Sequence, residues 1–242
     1  GLGDSYPQSL VVFNSKLYFS ANGNNGADNE LWVYDGTNAP SMAVDINNEN
    51  HGSFPDQFAV FNNKLYFSAD DGSGIGRELW VYNGINSTLV SDIWSGIESS
   101  STEDLAAFNG MLYFAADGND GAGYELWKYD GTNPPSLALD IRNGTDSSYP
   151  SHLIVFNNKL YFSADGDGAG AELWVYDGTN APTQVADINT SGGSYPSDPA
   201  IFNNKLYFSA EGDGGAGAEL WQYDGTNAPT LAADINSGGN SY

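Results

Sequence analysis

Carboxylates and aromatic rings are the side chains with which this sequence could do chemistry. Aspartates gather in glycine-rich stretches, at Asp70-Asp71, at Asp117 with Asp120, at Asp165-Gly166-Asp167-Gly168 and at Asp213. Alternating Asp and Gly places several hard oxygens on a backbone that turns sharply, which is the donor set calcium takes. These stretches are shorter than an EF-hand loop and lack its closing glutamate, and the first such stretch has Asn22 and Asn24 where acids would stand. Calcium is the one metal this pattern offers, against the plainer reading of solvated acidic loops. No residue pattern requires a cofactor. A second group is Tyr6, Phe54, Tyr149 and Tyr195, each followed by proline. An aromatic ring beside carboxylates and glycine-exposed amides is what a sugar site needs, because the ring covers the apolar sugar face while carboxylates accept paired hydroxyl hydrogens. The best-equipped sets are Tyr149 with Asp165 and Asp167, and Tyr195 with Asp213. The competing reading packs these tyrosines beneath the chain with their hydroxyls satisfied.

Other chemistries are excluded by composition. There is no cysteine, so neither a disulfide nor a thiolate metal site exists, and His51 and His152 are the only histidines. No Ser/His/Asp set and no phosphate loop can be read. A net charge of −24 with only seven Lys and Arg works against nucleic acid and anionic membranes, which need clustered cations. No run approaches the ~18 apolar residues of a membrane span, so membrane insertion is not expected. The opening GLGDSYP shows neither a basic start nor an apolar stretch, so no export signal is visible, and a start at Gly1 reads as a processed chain or an excised domain.

What positions these groups is a repeat. Glu-Leu-Trp recurs at Glu30, Glu78, Glu125, Glu172 and Glu219, at intervals of 48, 47, 47 and 47 residues. Leu-Tyr-Phe recurs at Leu17, Leu65, Leu112, Leu160 and Leu206, and Asp-Ile at Asp45, Asp92, Asp140, Asp187 and Asp234. Five repeats fill the chain, over about 5–48, 53–95, 101–143, 148–190 and 194–237. In the fourth, four short runs rich in aromatic and β-branched residues read as strands: HLIVF, KLYFSA, AELWVYD and TQVADI. Asn157-Asn158 joins the first two, and Asn109-Gly110 does so in the third repeat, residues that accept the positive φ of a two-residue type I′ hairpin. Asp177-Gly178 and Pro182 turn the chain between the last two.

Both faces of these strands are apolar. Leu160 and Phe162 oppose Tyr161, and Leu173 and Val175 oppose Trp174 and Tyr176. Such sheets must be covered on both sides, and with no helical period anywhere the covering elements are other sheets. The expected fold is all-β, a five-bladed β-propeller of four-stranded antiparallel blades in a single domain over 1–242. A β-solenoid is the alternative, but its strands are parallel and the Asn-Gly hairpin requires antiparallel neighbours. Ser5-Tyr6 recurs five repeats on as Ser241-Tyr242. That recurrence predicts a closed monomeric disc with no strand exchanged between the first and last blades.

The segment NNKLYFSADGDGAGAELWVYDGTN closely resembles the bacterial repeats named for their Glu-Leu-Trp-x-x-Asp-Gly-Thr signature, found in large secreted or surface proteins. The likeness covers all five repeats. Asn83-Gly84-Ile85 replaces Asp-Gly-Thr in the second, and the third has Ser101-Thr102 where the others have Tyr-Pro or Phe-Pro. The resemblance implies an extracellular or cell-surface location and carries no general activity. Blade number and length are also similar to the five-bladed tachylectins, which are sugar-binding proteins, although their sequence motifs are absent.

An up-and-down blade puts the Asn-Asn turns, with Lys16, Lys64, Lys159 and Lys205, on one face, and the acidic loops, the Glu-Leu-Trp glutamates and the Tyr-Pro crossings on the other. The acidic face is the expected binding face, taking glycans in grooves between a loop and a neighbouring crossing, with equivalent shallow sites repeated around the disc. The repeated Glu and the Asp of Asp-Ile have a second reading, as ties between loop amides of adjacent blades. The tryptophans of Glu-Leu-Trp belong to the inter-blade core, and Trp94, which has no counterpart, is the one expected to be exposed. Two further functions stand beside carbohydrate binding. One is a structural or adhesive spacer in a larger surface protein. The other is glycoside hydrolysis at a central channel, where the opening residues of the first strands break symmetry and Asp56, Glu103, Asp104 and Asp198 could pair as acid and base or nucleophile. No repeat carries an insertion that would build a substrate cleft, so an enzyme is not expected.

Overall fold

The repeated alternation of apolar side chains with tight Asn and Gly turns folds as antiparallel sheets. The computed structural model describes residues 4–23, 29–47, 51–166, 168–214 and 217–236, so Asn24, Asp167 and Ser241-Tyr242 lie outside the described residues. The strands of the five repeats are β1 (Gln8–Phe13), β2 (Lys16–Asn22), β3 (Asn29–Tyr34) and β4 (Ser41–Val44); β5 (Asp56–Phe61), β6 (Lys64–Ala69), β7 (Glu78–Tyr82) and β8 (Ser87–Ser91); β9 (Glu103–Phe108), β10 (Met111–Asp117), β11 (Tyr124–Tyr129) and β12 (Ser136–Leu139); β13 (Ser151–Phe156), β14 (Lys159–Ala164), β15 (Glu172–Tyr176) and β16 (Thr183–Ala186); and β17 (Ser197–Phe202), β18 (Lys205–Glu211), β19 (Ala218–Tyr223) and β20 (Thr230–Ala233). Each repeat is one four-stranded sheet with its strands in chain order, so among the described residues no strand passes from one sheet to another. No helix occurs among the described residues.

Local chemistry explains the joints. Asn157 and Asn158 have φ of 47° and 56°, and Asn62 and Asn63 have 47° and 57°, the paired left-handed conformations of a type I′ turn. The strand-opening residues carry a bulge, seen as a register shift between Ser151 and Ile154 and between Asp56 and Ala59, with His152 at φ 56° and Gln57 at φ 55°. Asp177 caps the next turn, its Oδ1 accepting from Thr179 N and Asn180 N at 2.8 Å, and Asp35, Asp130 and Asp224 do the same in their repeats. In the fourth repeat the last strand ends at Ala186, two residues before the apolar run suggests. The amide of Ile188 is diverted to the Glu172 carboxylate at 3.2 Å, which removes it from the ladder.

The chain falls into two compact bodies, Gly1–Ala107 with Met111–Asp120 and Lys128–Ser136, and Phe108–Gly110 with Gly121–Trp127 and Leu137–Tyr242. In the first, Phe13, Tyr18, Leu31 and Ile46 of one repeat pack on Leu65, Phe67, Trp80 and Tyr82 of the next. In the second, Phe156, Tyr161, Leu173 and Ile188 pack on Leu206, Phe208 and Tyr223. Tyrosine pairs bridge consecutive sheets, Tyr18 with Tyr82 at 5.7 Å between ring centroids and Tyr161 with Tyr223 at 5.8 Å. The second strands are buried from Leu65 to Ala69 and from Leu160 to Ala164, as two-sided covering requires. Trp80 and Trp127 are buried, as the core reading expects. Trp94 corrects the expectation of exposure, because it is half-buried like Trp32, Trp174 and Trp221.

Candidate functional site

The crossing from each repeat to the next is held by one buried carboxylate. Glu30 Oε1 accepts from Ser53 N at 2.8 Å, and its Oε2 accepts from Ser53 Oγ at 2.6 Å and from Ile46 N at 2.9 Å. Glu125 binds Ser148 and Ile141 in the same way, and Glu172 binds Ser194 and Ile188. This fulfils the inter-repeat tie read for the Glu-Leu-Trp glutamates. Burial pushes the carboxyls of Glu30, Glu78, Glu125 and Glu172 above the usual range, outweighing the hydrogen bonds that favour ionisation. The serine is the second half of the joint. Its carbonyl accepts the amide at the end of the second strand, Asp165 N to Ser148 O at 2.8 Å and Asp70 N to Ser53 O at 3.0 Å.

With the serine fixed, the next residue has little freedom. Tyr149 N donates to Tyr124 O at 3.3 Å, Tyr195 N to Ala171 O at 2.9 Å and Phe54 N to Asn29 O at 3.0 Å. Tyr6, Phe54, Tyr149 and Tyr195 all take a left-handed φ, between 41° and 49°, which is uncommon for a bulky side chain. That conformation turns the rings outward, and they are 55–65% exposed. The reading that buries them beneath the crossings is thereby corrected. Tyr6 Oη donates to Asp4 Oδ2 at 3.1 Å, and the Tyr149 ring lies 5.8 Å from that of Tyr124.

At the fourth repeat, where it meets the fifth, Tyr149 and Tyr195 stand at one cleft of about 550 Å³, with Asp165, His152, Ser151 and Ala171 also on its walls. The cleft therefore brings together Tyr149, Tyr195 and Asp165 of the expected set. Asp213 is not on its walls, because its Oδ1 accepts from Thr190 N and Oγ1, both at 2.8 Å. Gly170, also on its walls, lies against a neighbouring backbone, where an added Cβ would stand 2.5 Å from Gly193 Cα. A second cavity in the same repeat, about 130 Å³, is bordered by Trp174, Asp187 and Gln184.

The aspartates read as metal ligands mostly serve the loops themselves. Asp70 Oδ1 accepts from Gly72 N at 2.8 Å, Asp71 Oδ1 from Ser73 N at 2.9 Å and Asp117 Oδ1 from Asn119 N at 2.9 Å. Asp165 Oδ1 accepts from Gly168 N at 2.6 Å, and its Oδ2 faces Arg142 Nη1 at 3.5 Å. Asp120 lies exposed between β10 and β11. Among the described residues no three acidic or histidine side chains converge as a metal site would require. Of the acids considered for hydrolysis, Asp56 is engaged by Arg77 Nη2 at 2.5 Å, and Asp104 N donates to Gln57 Oε1 at 3.1 Å. Burial, then Asp104 and Asp56, raise the Glu103 carboxyl. Asp198 sits at the bulge of β17 with φ 50°.

Sequence reasoning missed Ala171 and Arg77, and placed Ser151 and His152 only among the strand-opening residues of the expected channel. The signal was available in the residue before Glu-Leu-Trp, which reads Asn29, Arg77, Tyr124, Ala171 and Ala218 in a frame otherwise nearly constant.

No family model matches the chain, and no curated protein matches it. Among solved structures it is similar to the β-propeller domain of the trilobed protease from Pyrococcus furiosus, described as having an open velcro topology, with 13% identity and a TM-score of 0.60 over 95% of this chain and 68% of that one. It is also similar to the acylaminoacyl peptidase of Pyrococcus horikoshii, with 13% identity and a TM-score of 0.60 over 95% of this chain and 38% of that chain. A prolyl endopeptidase aligns at 10% identity and a TM-score of 0.66, over 98% of this chain and 36% of that one. Identities this low bear on fold alone: the chain is an all-β protein of five four-stranded antiparallel sheets with β-propeller neighbours.

Proposed function

We propose that the five sheets are the blades of a five-bladed β-propeller acting as a lectin-like carbohydrate-binding module at the cell surface or outside the cell. The observation that carries this reading is the fourth-repeat cleft, where the outward rings of Tyr149 and Tyr195 flank hydroxyls and the Asp165 carboxylate. Holding a large ring in a left-handed backbone and in contact with water is unfavourable on both counts, and such strain gathers where a ligand is met. Rings supply a stacking surface, and serine, tyrosine and carboxylate groups supply the paired donors and acceptors that hydroxyls need. Shallow sites repeated on one module act through avidity, which suits glycan surfaces. The strongly negative charge keeps nucleic acid out of the account, and the module works as a monomeric domain that requires no cofactor. Catalysis is not part of this reading.

Glycan-array screening of the wild type and of Tyr149→Ala/Tyr195→Ala tests it, followed by calorimetric titration of any oligosaccharide that binds. The double variant should fold normally and lose about tenfold or more in affinity, as loss of two stacking rings implies. Unchanged affinity and stoichiometry would remove the cleft from the account. Absence of binding to any glycan would leave a structural or adhesive spacer as the function.

A further inference from the structure

Arg77 and Ala171 occupy the same place in their repeats, one residue before Glu-Leu-Trp. In the second repeat the guanidinium reaches back across the crossing. Its Nη1 donates to Phe54 O at 2.8 Å and to Ser53 O at 3.5 Å, and its Nη2 donates to Asp56 Oδ1 at 2.5 Å and to Ser68 O at 3.3 Å. The fourth-repeat counterparts of those four partners are Tyr149, Ser148, Ser151 and Ser163, and all four line the cleft of about 550 Å³. The guanidinium thus fills in one repeat the space that is open in the other. Both members of the ion pair change together, Arg77 to Ala171 and Asp56 to Ser151. Charge and bulk leave at once, so neither an uncompensated charge nor a half-filled cleft remains.

We infer that this pair of positions decides whether a repeat presents a binding cleft: Arg77 with Asp56 closes the second repeat, and Ala171 with Ser151 leaves the fourth open for an uncharged sugar residue. The ligand named here rests on the carbohydrate reading, but the closure does not. Uncharged ligand follows from what the exchange leaves behind, because the cleft walls are mostly hydroxyls, aromatic rings and the His152 imidazole, and their one carboxylate, Asp165, faces Arg142. The sites are therefore not equivalent around the chain. The fifth repeat, with Ala218 and Ser197, carries the small, uncharged pair of the fourth.

The absence of cysteine allows a test that needs no glycan. Ser163→Cys and Ser68→Cys each place one thiol in an otherwise cysteine-free chain, at matching points of the two repeats. Both serines are buried, but Ser163 borders the cleft whereas Ser68 O accepts from the guanidinium that fills it. With methanethiosulfonate as probe, the Ser163→Cys thiol should therefore react about tenfold faster or more than the Ser68→Cys thiol, since reactivity follows access. Adding Arg77→Ala and Asp56→Ser to Ser68→Cys should bring its rate close to that of Ser163→Cys. The exchange removes a cation and an anion together, whose effects on the thiol pKa oppose each other, so acceleration reports an opened cleft. If that variant does not fold, Ala171→Arg with Ser151→Asp carries the test in reverse, slowing the Ser163→Cys thiol by about tenfold. Equal rates at the two positions, or rates indifferent to these exchanges, would overturn the inference while leaving any glycan-binding result intact. A failed glycan array with the expected rates would instead overturn the carbohydrate reading alone.

Discussion

Replacing Glu30 should separate the two parts it plays, as an acceptor for three buried donors and as a charge held away from water. Glu30 is 0% exposed and receives Ser53 N, Ser53 Oγ and Ile46 N at 2.6–2.9 Å. Glu30→Ala strands all three donors, and each stranded buried donor costs about 1–3 kcal/mol. Water entering the vacated space recovers part of this, so the expected loss is about 3–5 kcal/mol. At about 2–4 °C per kcal/mol for a chain of this size, the melting temperature should fall by about 6–20 °C. Glu30→Gln keeps one oxygen, which can serve Ile46 N and Ser53 Oγ as Oε2 does now, and turns its amide against Ser53 N. One lost bond costs about 1–3 kcal/mol. That cost should vary with pH. The Glu30 carboxyl is raised from 4.5, so its contribution is fully present below the unfolded value and is lost as pH rises through the folded one. Glutamine has no proton to lose, so Glu30→Gln should look most costly near pH 4 and less costly at pH 7. Urea unfolding followed by circular dichroism at both pH values measures this. Glu30→Ala within about 1 kcal/mol of wild type, less than one stranded donor should cost, would refute the tie. So would a Glu30→Gln cost that grows with pH.

The same sign applies to Glu78, Glu125 and Glu172, so wild-type stability should decline from about pH 4.5 toward neutrality, with self-repulsion at net charge −24 acting in the same direction. Below that the direction reverses: the turn caps, chiefly the Asn38 bonds, hold Asp35 at about 2 against a usual 3.8, and this contribution is lost as pH falls. Thermal melts from pH 3 to pH 8 should show a maximum in mild acid, and a steady rise to pH 7 would contradict the assignment. Gly170→Ala should cost well over the ~1 kcal/mol of a strained left-handed alanine, because the added Cβ meets Gly193 Cα at 2.5 Å, whereas Gly74→Ala, at φ +91° with nothing within 4 Å, should cost about that alone; equal losses in denaturant unfolding would show that the close approach relaxes freely. EDTA should leave the melting temperature unchanged relative to millimolar calcium, since Asp70, Asp71, Asp117 and Asp165 already accept loop amides. Several degrees of stabilisation by calcium would mean that those turns yield to an ion.

What could be read in the sequence, and what could not, follows from the symmetry of the repeat. Strand residues such as Leu160, Tyr161 and Phe162 face other sheets on both sides, so each repeat must solve the same packing problem with the same residues, and the solution is visible as a period. The Asn-Asn hairpins and the Asp-Gly turns are legible for the same reason, each being set by local backbone chemistry. The tyrosines before proline could be picked out as a recurring column, but their outward direction depends on the Glu-Ser tie between repeats, a contact 22 or 23 residues apart that no local pattern reports. Least legible is the residue before Glu-Leu-Trp. Its backbone carbonyl does the constant work, Ala171 O accepting from Tyr195 N, which leaves the side chain free to diverge. At Arg77 that freedom fills a cleft, and at Ala171 it leaves one open. A repeat protein can therefore hold its fold constant through backbone and buried contacts while varying its sites at the positions those contacts do not constrain. In such a chain the departures from the repeat, and not the repeat itself, are where specificity is to be sought.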